Sequence, residues 1–125
     1  YSLWLSVFDI RDNITTRLIR LSEAKWPEKA WNDSIWSRQF TKWSPSPKHP
    51  YIATTPQGKI VIVDANKKSI IKTIDMGVPK SLRWSGDGRY LGFLILDVIY
   101  IYDVEKDKIT NIYRDFRCFD FLWVD

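Results

Sequence analysis

Cysteine and histidine are almost absent: Cys118 and His49 are the single representatives in 125 residues. No internal disulfide can form, so nothing marks the chain as a disulfide-stabilised secreted scaffold. A histidine-based acid–base or metal site would have to borrow its partners from elsewhere. Flanked by Pro47 and Pro50, His49 is expected to be a surface turn residue. No apolar run approaches the roughly 20 residues that cross a bilayer, and no signal peptide is visible, so no transmembrane segment is expected. Also missing are the His-Glu-x-x-His of metalloproteases, the phosphate-cradling Gly-x-x-x-x-Gly-Lys, the nucleophile elbow Gly-x-Ser-x-Gly and any Cys-x-x-Cys. No catalytic, cofactor-binding or metal-ligating residue is therefore assigned, and the chain is read as noncatalytic.

Charge is present but mild. Nineteen basic against fifteen acidic residues leave +4, with seven and five in residues 1–43, six and two in 44–80, and six and eight in 81–125. The six central lysines, Lys48, Lys59, Lys67, Lys68, Lys72 and Lys80, are spread over turns and strand edges. A phosphate-tracking surface needs a stripe instead, so nucleic acid is not the expected partner.

Three segments share one plan, an apolar strand ending in Asp, a short polar turn and a second apolar strand: LWLSVFDIRDNITTRLIRL, IVIVDANKKSIIKTIDM and VIYIYDVEKDKITNIYRD. Each reads as a β-hairpin. The aspartates are Asp9, Asp64 and Asp103, separated by 55 and 39 residues. At the end of a strand before a tight turn, an Asp side chain is expected to cap nearby backbone amides rather than bind metal. Trp43, Trp84 and Trp123 repeat at 41 and 39 residues and each follows a short strand. After Trp84, SGDGRYLGF reads as turn then strand, and SPSPKHPYIA does the same after Trp43 with a proline-stiffened turn. The second complete unit thus reads as Ser81–Trp84, Tyr90–Leu96, Val98–Tyr102 and Ile109–Tyr113. Apolar residues on consecutive positions in IVIV and VIYIY predict strands covered on both faces.

The fold class expected is all-β, built from four-stranded antiparallel units of about forty residues. Residues 1–21 supply the outer hairpin of a partial unit, 22–40 an insertion, 41–77 and 78–116 two complete units, and 117–125 the first strand of a further one. The pattern resembles β-propeller blades, most closely the YVTN-type and TolB-like repeats, over roughly residues 41–125 with an extension to Leu3–Leu21. The carrying stretches are IVIVDANKKSIIKTIDMGVPKSLRWSGDGRYLGFL and IYIYDVEKDKI. True tryptophan-aspartate repeats have a Gly-His pair and a Trp before the Asp; here Phe8, Val63 and Tyr102 stand at that place, so the hydrogen-bonded network of those repeats is not expected. Eleven strands fall short of the sixteen or so that even four blades require. With Tyr1 in place of an initiator Met, this predicts a piece of a longer protein or a ring shared between chains.

The insertion interleaves Trp26, Trp31 and Trp36 with Lys25, Lys29 and Arg38. Pro27 and Glu28 suit the first turn of a short helix there. Trp and Arg are favoured interface anchors, so Trp26, Trp31, Trp36 and Arg38 are the candidate contacts for a protein partner. The competing expectation is that the indoles tuck the insertion against the rim. Glu23, Glu28 and Asp33 interrupt the charge and weigh against single-stranded nucleic acid. The sequons Asn13-Ile14-Thr15 and Asn32-Asp33-Ser34 keep a secreted location open, although an intracellular one is slightly favoured. The expected function is a noncatalytic scaffold for protein–protein interaction. Alternatives are the gating propeller of a larger enzyme, which the TolB-like resemblance implies, and a cell-surface or envelope protein, which the YVTN-type resemblance implies.

Overall fold

A computed structural model describes residues 2–23, 41–114 and 121–124. Among them are ten strands and no α-helix: β1 (Ser2–Asp9), β2 (Ile14–Glu23), β3 (Thr41–Trp43), β4 (Tyr51–Thr54), β5 (Ile60–Asp64), β6 (Ser69–Ile74), β7 (Ser81–Trp84), β8 (Tyr90–Ile95), β9 (Val98–Asp103) and β10 (Lys108–Arg114). They form three antiparallel sheets: the hairpin β1–β2, the meander β3–β4–β5–β6 and the meander β7–β8–β9–β10. No sheet closes on itself. Residues 121–124 follow without joining a ladder. The short helix expected in the insertion falls outside the described residues. No helix among those described is long and apolar enough to cross a membrane.

Strict alternation of faces explains the consecutive apolar runs. In β5, Ile60 and Ile62 point into one core with Ala53, Ile74, Leu82, Trp84, Leu91, Phe93, Ile95 and Tyr102. Val61 and Val63 point the other way, joining Ile52 and Leu5 against Val7, Leu18, Ile19 and Leu21 of the hairpin. The first four-stranded sheet is therefore covered by the second on one side and by β1–β2 on the other. Side chains alternate along a pleated strand, so a strand buried on both faces must be apolar at every position. Ile52, Ile60, Ile62 and Val63 are fully buried, and burying each is worth about 1.5–3 kcal/mol.

The three hairpins turn alike. Asp9 Oδ1 accepts the backbone N–H of Arg11 at 2.9 Å. Asp64 Oδ1 accepts those of Asn66 and Lys67, both at 2.9 Å. Asp103 Oδ1 accepts those of Glu105 and Lys106 at 3.0 and 3.2 Å. The last turn residue is left-handed in each case: Asn13 at φ 55, Lys68 at φ 52 and Asp107 at φ 50. The carboxylate satisfies amides that the turn pulls out of the ladder, which is the capping role expected of these aspartates.

The two meanders also share register. Tyr51 pairs with Asp64 and Tyr90 with Asp103; Trp43 pairs with Ile52 and Trp84 with Leu91. The turns before β4 and β8 close with the same bonds, Ser44 N–H to the Tyr51 carbonyl and Ser85 N–H to the Tyr90 carbonyl, each 2.8 Å. Ala65 N–H reaches the Pro50 carbonyl at 2.8 Å and Val104 N–H the Arg89 carbonyl at 3.0 Å.

Candidate binding groove along the first strands

Trp84, which ends β7, and Trp123, in the segment beyond the second meander, each fasten their segment to the sheet before it. Trp84 Nε1 donates to the carbonyl of Lys42 on β3 at 2.9 Å, and Trp123 Nε1 donates to the carbonyl of Arg83 on β7 at 3.0 Å. Each ring also lies against a tyrosine of the preceding sheet: Tyr51 and Trp84 are 6.2 Å apart at their centroids, Tyr90 and Trp123 6.1 Å. Small residues make room for this approach. Gly92 pairs with Arg83, as Ala53 pairs with Lys42. A Cβ on Gly92 would come within 2.5 Å of the Phe121 ring.

Side by side, these strands enclose an open groove of about 350 Å³. Lys42 and Trp43 line it from β3, Leu82, Arg83 and Trp84 from β7, and Leu122 and Trp123 from the segment beyond, with Pro45 beside them. Among the described residues its lining includes two cations and three tryptophans, of which Trp84 is largely buried, and no carboxylate. Trp43 is 52% exposed and Leu122 74%. A concave surface with aromatic and cationic side chains suits an extended polypeptide bearing apolar and acidic groups.

Around the rim, polar side chains clasp the two four-stranded sheets. His49 Nδ1 lies 2.8 Å from the Asp87 carbonyl oxygen; a carbonyl only accepts, so this nitrogen carries the proton. His49 Nε2 is 3.5 Å from Glu105 Oε1. Glu105 also meets Arg89 at 3.3 Å, and Arg89 forks onto both oxygens of Asp103 at 3.2 and 3.0 Å. The Arg89 hydrogen bonds hold the Asp103 carboxyl below its ordinary range, and Asp103 in turn raises Arg89. On the opposite flank, Lys72 of β6 meets Asp107 at 2.9 Å, and Tyr102 Oη donates to the same carboxylate at 2.7 Å. The Lys72 bond, with that from Tyr102, lowers Asp107. Burial, reinforced by the Asp107 contact, raises the Tyr102 phenol well above its ordinary value.

His49 thus sits in a turn as expected, but half-buried as an inter-sheet clasp rather than free at the surface. Its turn, SPSPKHPY, is two residues longer than SGDGRY; that extra length, visible in the sequence, gives the ring its reach. Gly88, at φ 72, packs its backbone directly under Ser44, Ser46 and His49. The Arg89 to Asp103 fork has no counterpart in the first meander, where Pro50 occupies the place of Arg89 in the shared bonding pattern. The candidate contacts Trp26, Trp31, Trp36 and Arg38 lie outside the described residues. Among the described residues, no three His, Cys, Asp or Glu side chains gather as a metal site would require. Compared with protein-family models, curated proteins and solved structures, the chain matches none.

Proposed function

We propose that the chain is a run of β-propeller blades, two complete and two partial, acting as a noncatalytic scaffold for protein–protein interaction within a larger protein or assembly. One observation carries this reading: the same docking bond, indole N–H to the carbonyl of the preceding first strand, joins β7 to β3 and residues 121–124 to β7. A step applied twice, with the same Tyr and Trp contact each time, is what radial stacking of sheets needs. The groove beside the first strands offers one binding surface, and Trp26, Trp31, Trp36 and Arg38 of the insertion offer a second.

The blade reading is tested by an experimental structure: helices or parallel strands across Lys59–Met76 would overturn it. The binding reading is tested with peptides selected by display against the immobilised chain. Replacing Trp31 and Trp36 together by Ala should weaken those peptides by several kcal/mol, since a true anchor typically costs about 2 or more, while the melting temperature stays unchanged. Destabilisation of about 3–5 kcal/mol per truncation with unaltered peptide affinity would instead assign both indoles to the core.

A further inference from the structure

The two ends of the four-stranded meanders treat their lysines differently. Successive turns of an antiparallel meander alternate between its ends, so those after β3, β5, β7 and β9 lie at one end and those after β4 and β8 at the other. The first four are tied together. The Pro50 carbonyl accepts the Ala65 N–H in one meander and the Arg89 carbonyl the Val104 N–H in the other, while His49 crosses between meanders to Asp87 and Glu105. At the far end, Lys59 meets Asp75 at 3.7 Å and Lys80 meets Asp97 at 3.6 Å. Cation and carboxylate cancel there.

At the tied end they do not. Residues 44–50, 64–72, 85–89 and 103–108, the four turns with their flanking strand residues, hold seven lysines and arginines against five carboxylates, an excess equal to half of the chain's +4. All five carboxylates are engaged from within. Asp64 accepts turn amides, and Asp87 accepts the Ser85 hydroxyl at 2.7 Å and the Arg89 backbone N–H at 3.0 Å. Asp103 and Glu105 hold the Arg89 guanidinium, and Asp107 holds Lys72. Lys48, Lys67, Lys68, Lys106 and Lys108 are exposed, and none of them is ion-paired among the described residues.

We infer that this end binds an acidic stretch of polypeptide laid across both meanders, its carboxylates meeting Lys67 and Lys68 on one and Lys106 and Lys108 on the other, with Lys48 at the His49 bridge between them. The inference rests on the protein-binding reading above and supplies the chemistry of a partner. The bonds that join the turns fix the backbone beneath the lysines, so the array of charge exists before anything binds. Ammonium groups on flexible stems suit carboxylates spaced along an extended chain. None of the turn residues 44–50, 65–68, 85–89 and 104–107 is an exposed large apolar one. An anionic membrane would therefore be held by charge alone, without the second signal that stable attachment takes. The one ring in these turns, His49, is engaged between the sheets, which leaves no platform on which a base could stack.

Fluorescence anisotropy of a labelled peptide of alternating Glu and Gly, titrated with the whole chain, tests the inference. Binding should weaken as salt is raised. At physiological ionic strength, Lys67→Gln with Lys106→Gln should weaken it at least about threefold. Lys59→Gln with Lys80→Gln removes the same charge from the far end and should leave the affinity unchanged. All four side chains are exposed, so both variants should keep the parent melting temperature. Absence of binding at low salt, or equal losses in the two variants, overturns the inference, the second because overall charge would then be responsible. Tighter binding of an oligothymidylate, or of vesicles of phosphatidylserine and phosphatidylcholine, with the same dependence on Lys67 and Lys106 also overturns it and assigns this end to that other partner. Each of these results leaves the protein-binding reading to its own measurement, the dependence of display-selected peptides on Trp31 and Trp36.

Discussion

Asp103, Asp107 and Tyr102 show how single side chains set the pH range of the fold. Asp103 is held below its ordinary carboxylate value chiefly by Arg89, and Asp107 chiefly by Lys72. A depressed carboxyl contributes stability that is fully present above its unfolded value and is lost as pH falls through the folded one. Tyr102 is shifted upward, first by burial and then by Asp107. Its contribution is complete below the ordinary phenol value and disappears as pH rises. The urea midpoint should therefore be flat through neutrality, fall below about pH 4 and fall again above about pH 10. In Tyr102→Phe the alkaline decline should begin later or shrink; an unchanged alkaline limb would show that Tyr102 does not set it.

The short first strands are minor elements by length, and their attachment depends on few bonds. β3 is exposed along its whole length, while β7 buries Leu82 and Trp84. Trp84 holds the two together through its bond to Lys42. Trp84→Phe keeps most of the aromatic packing and removes the donor, so it should cost about 1 kcal/mol and speed amide exchange in β3 more than in β5. Equal effects on both strands would mean that the indole bond does not secure β3. Most strand positions were legible from alternation and turn chemistry: Ser81–Trp84 is found as expected, and the next three strands differ from expectation by a residue or so at their ends. Residues 121–124, expected within the first strand of a further unit, dock through Trp123 on Arg83 without entering a ladder.

For the molecule as a whole, the two meanders share one core, in which Phe93 is fully buried and stacks on Tyr100 at 5.4 Å. Ala53, Ile60 and Ile62 belong to one sheet and Leu82, Leu91 and Phe93 to the other. Neither sheet can keep its apolar face dry alone, so both should unfold in a single transition. Phe93→Ala should cost about 3–5 kcal/mol and lower the stability of both sheets together, read by hydrogen exchange at Ile62 and Leu94. Loss confined to β7–β10 would show that the sheets are independent units.

The sequence by itself determined the strands, their antiparallel order and the capped turns, because these depend on neighbours close in the chain. Period-two burial, an Asp at the strand end and a polar turn are local signals, and the tryptophan spacing of about forty residues repeated them once per unit. Only the tertiary structure decided what those tryptophans do. That Trp84 donates to Lys42, that Gly92 is small so that Phe121 can approach, and that His49 reaches Asp87 all depend on how one sheet is offset against the next. Such offsets are set by packing between residues about forty positions apart. No local pattern encodes them, which is why the groove between the first strands became visible only once the sheets were stacked.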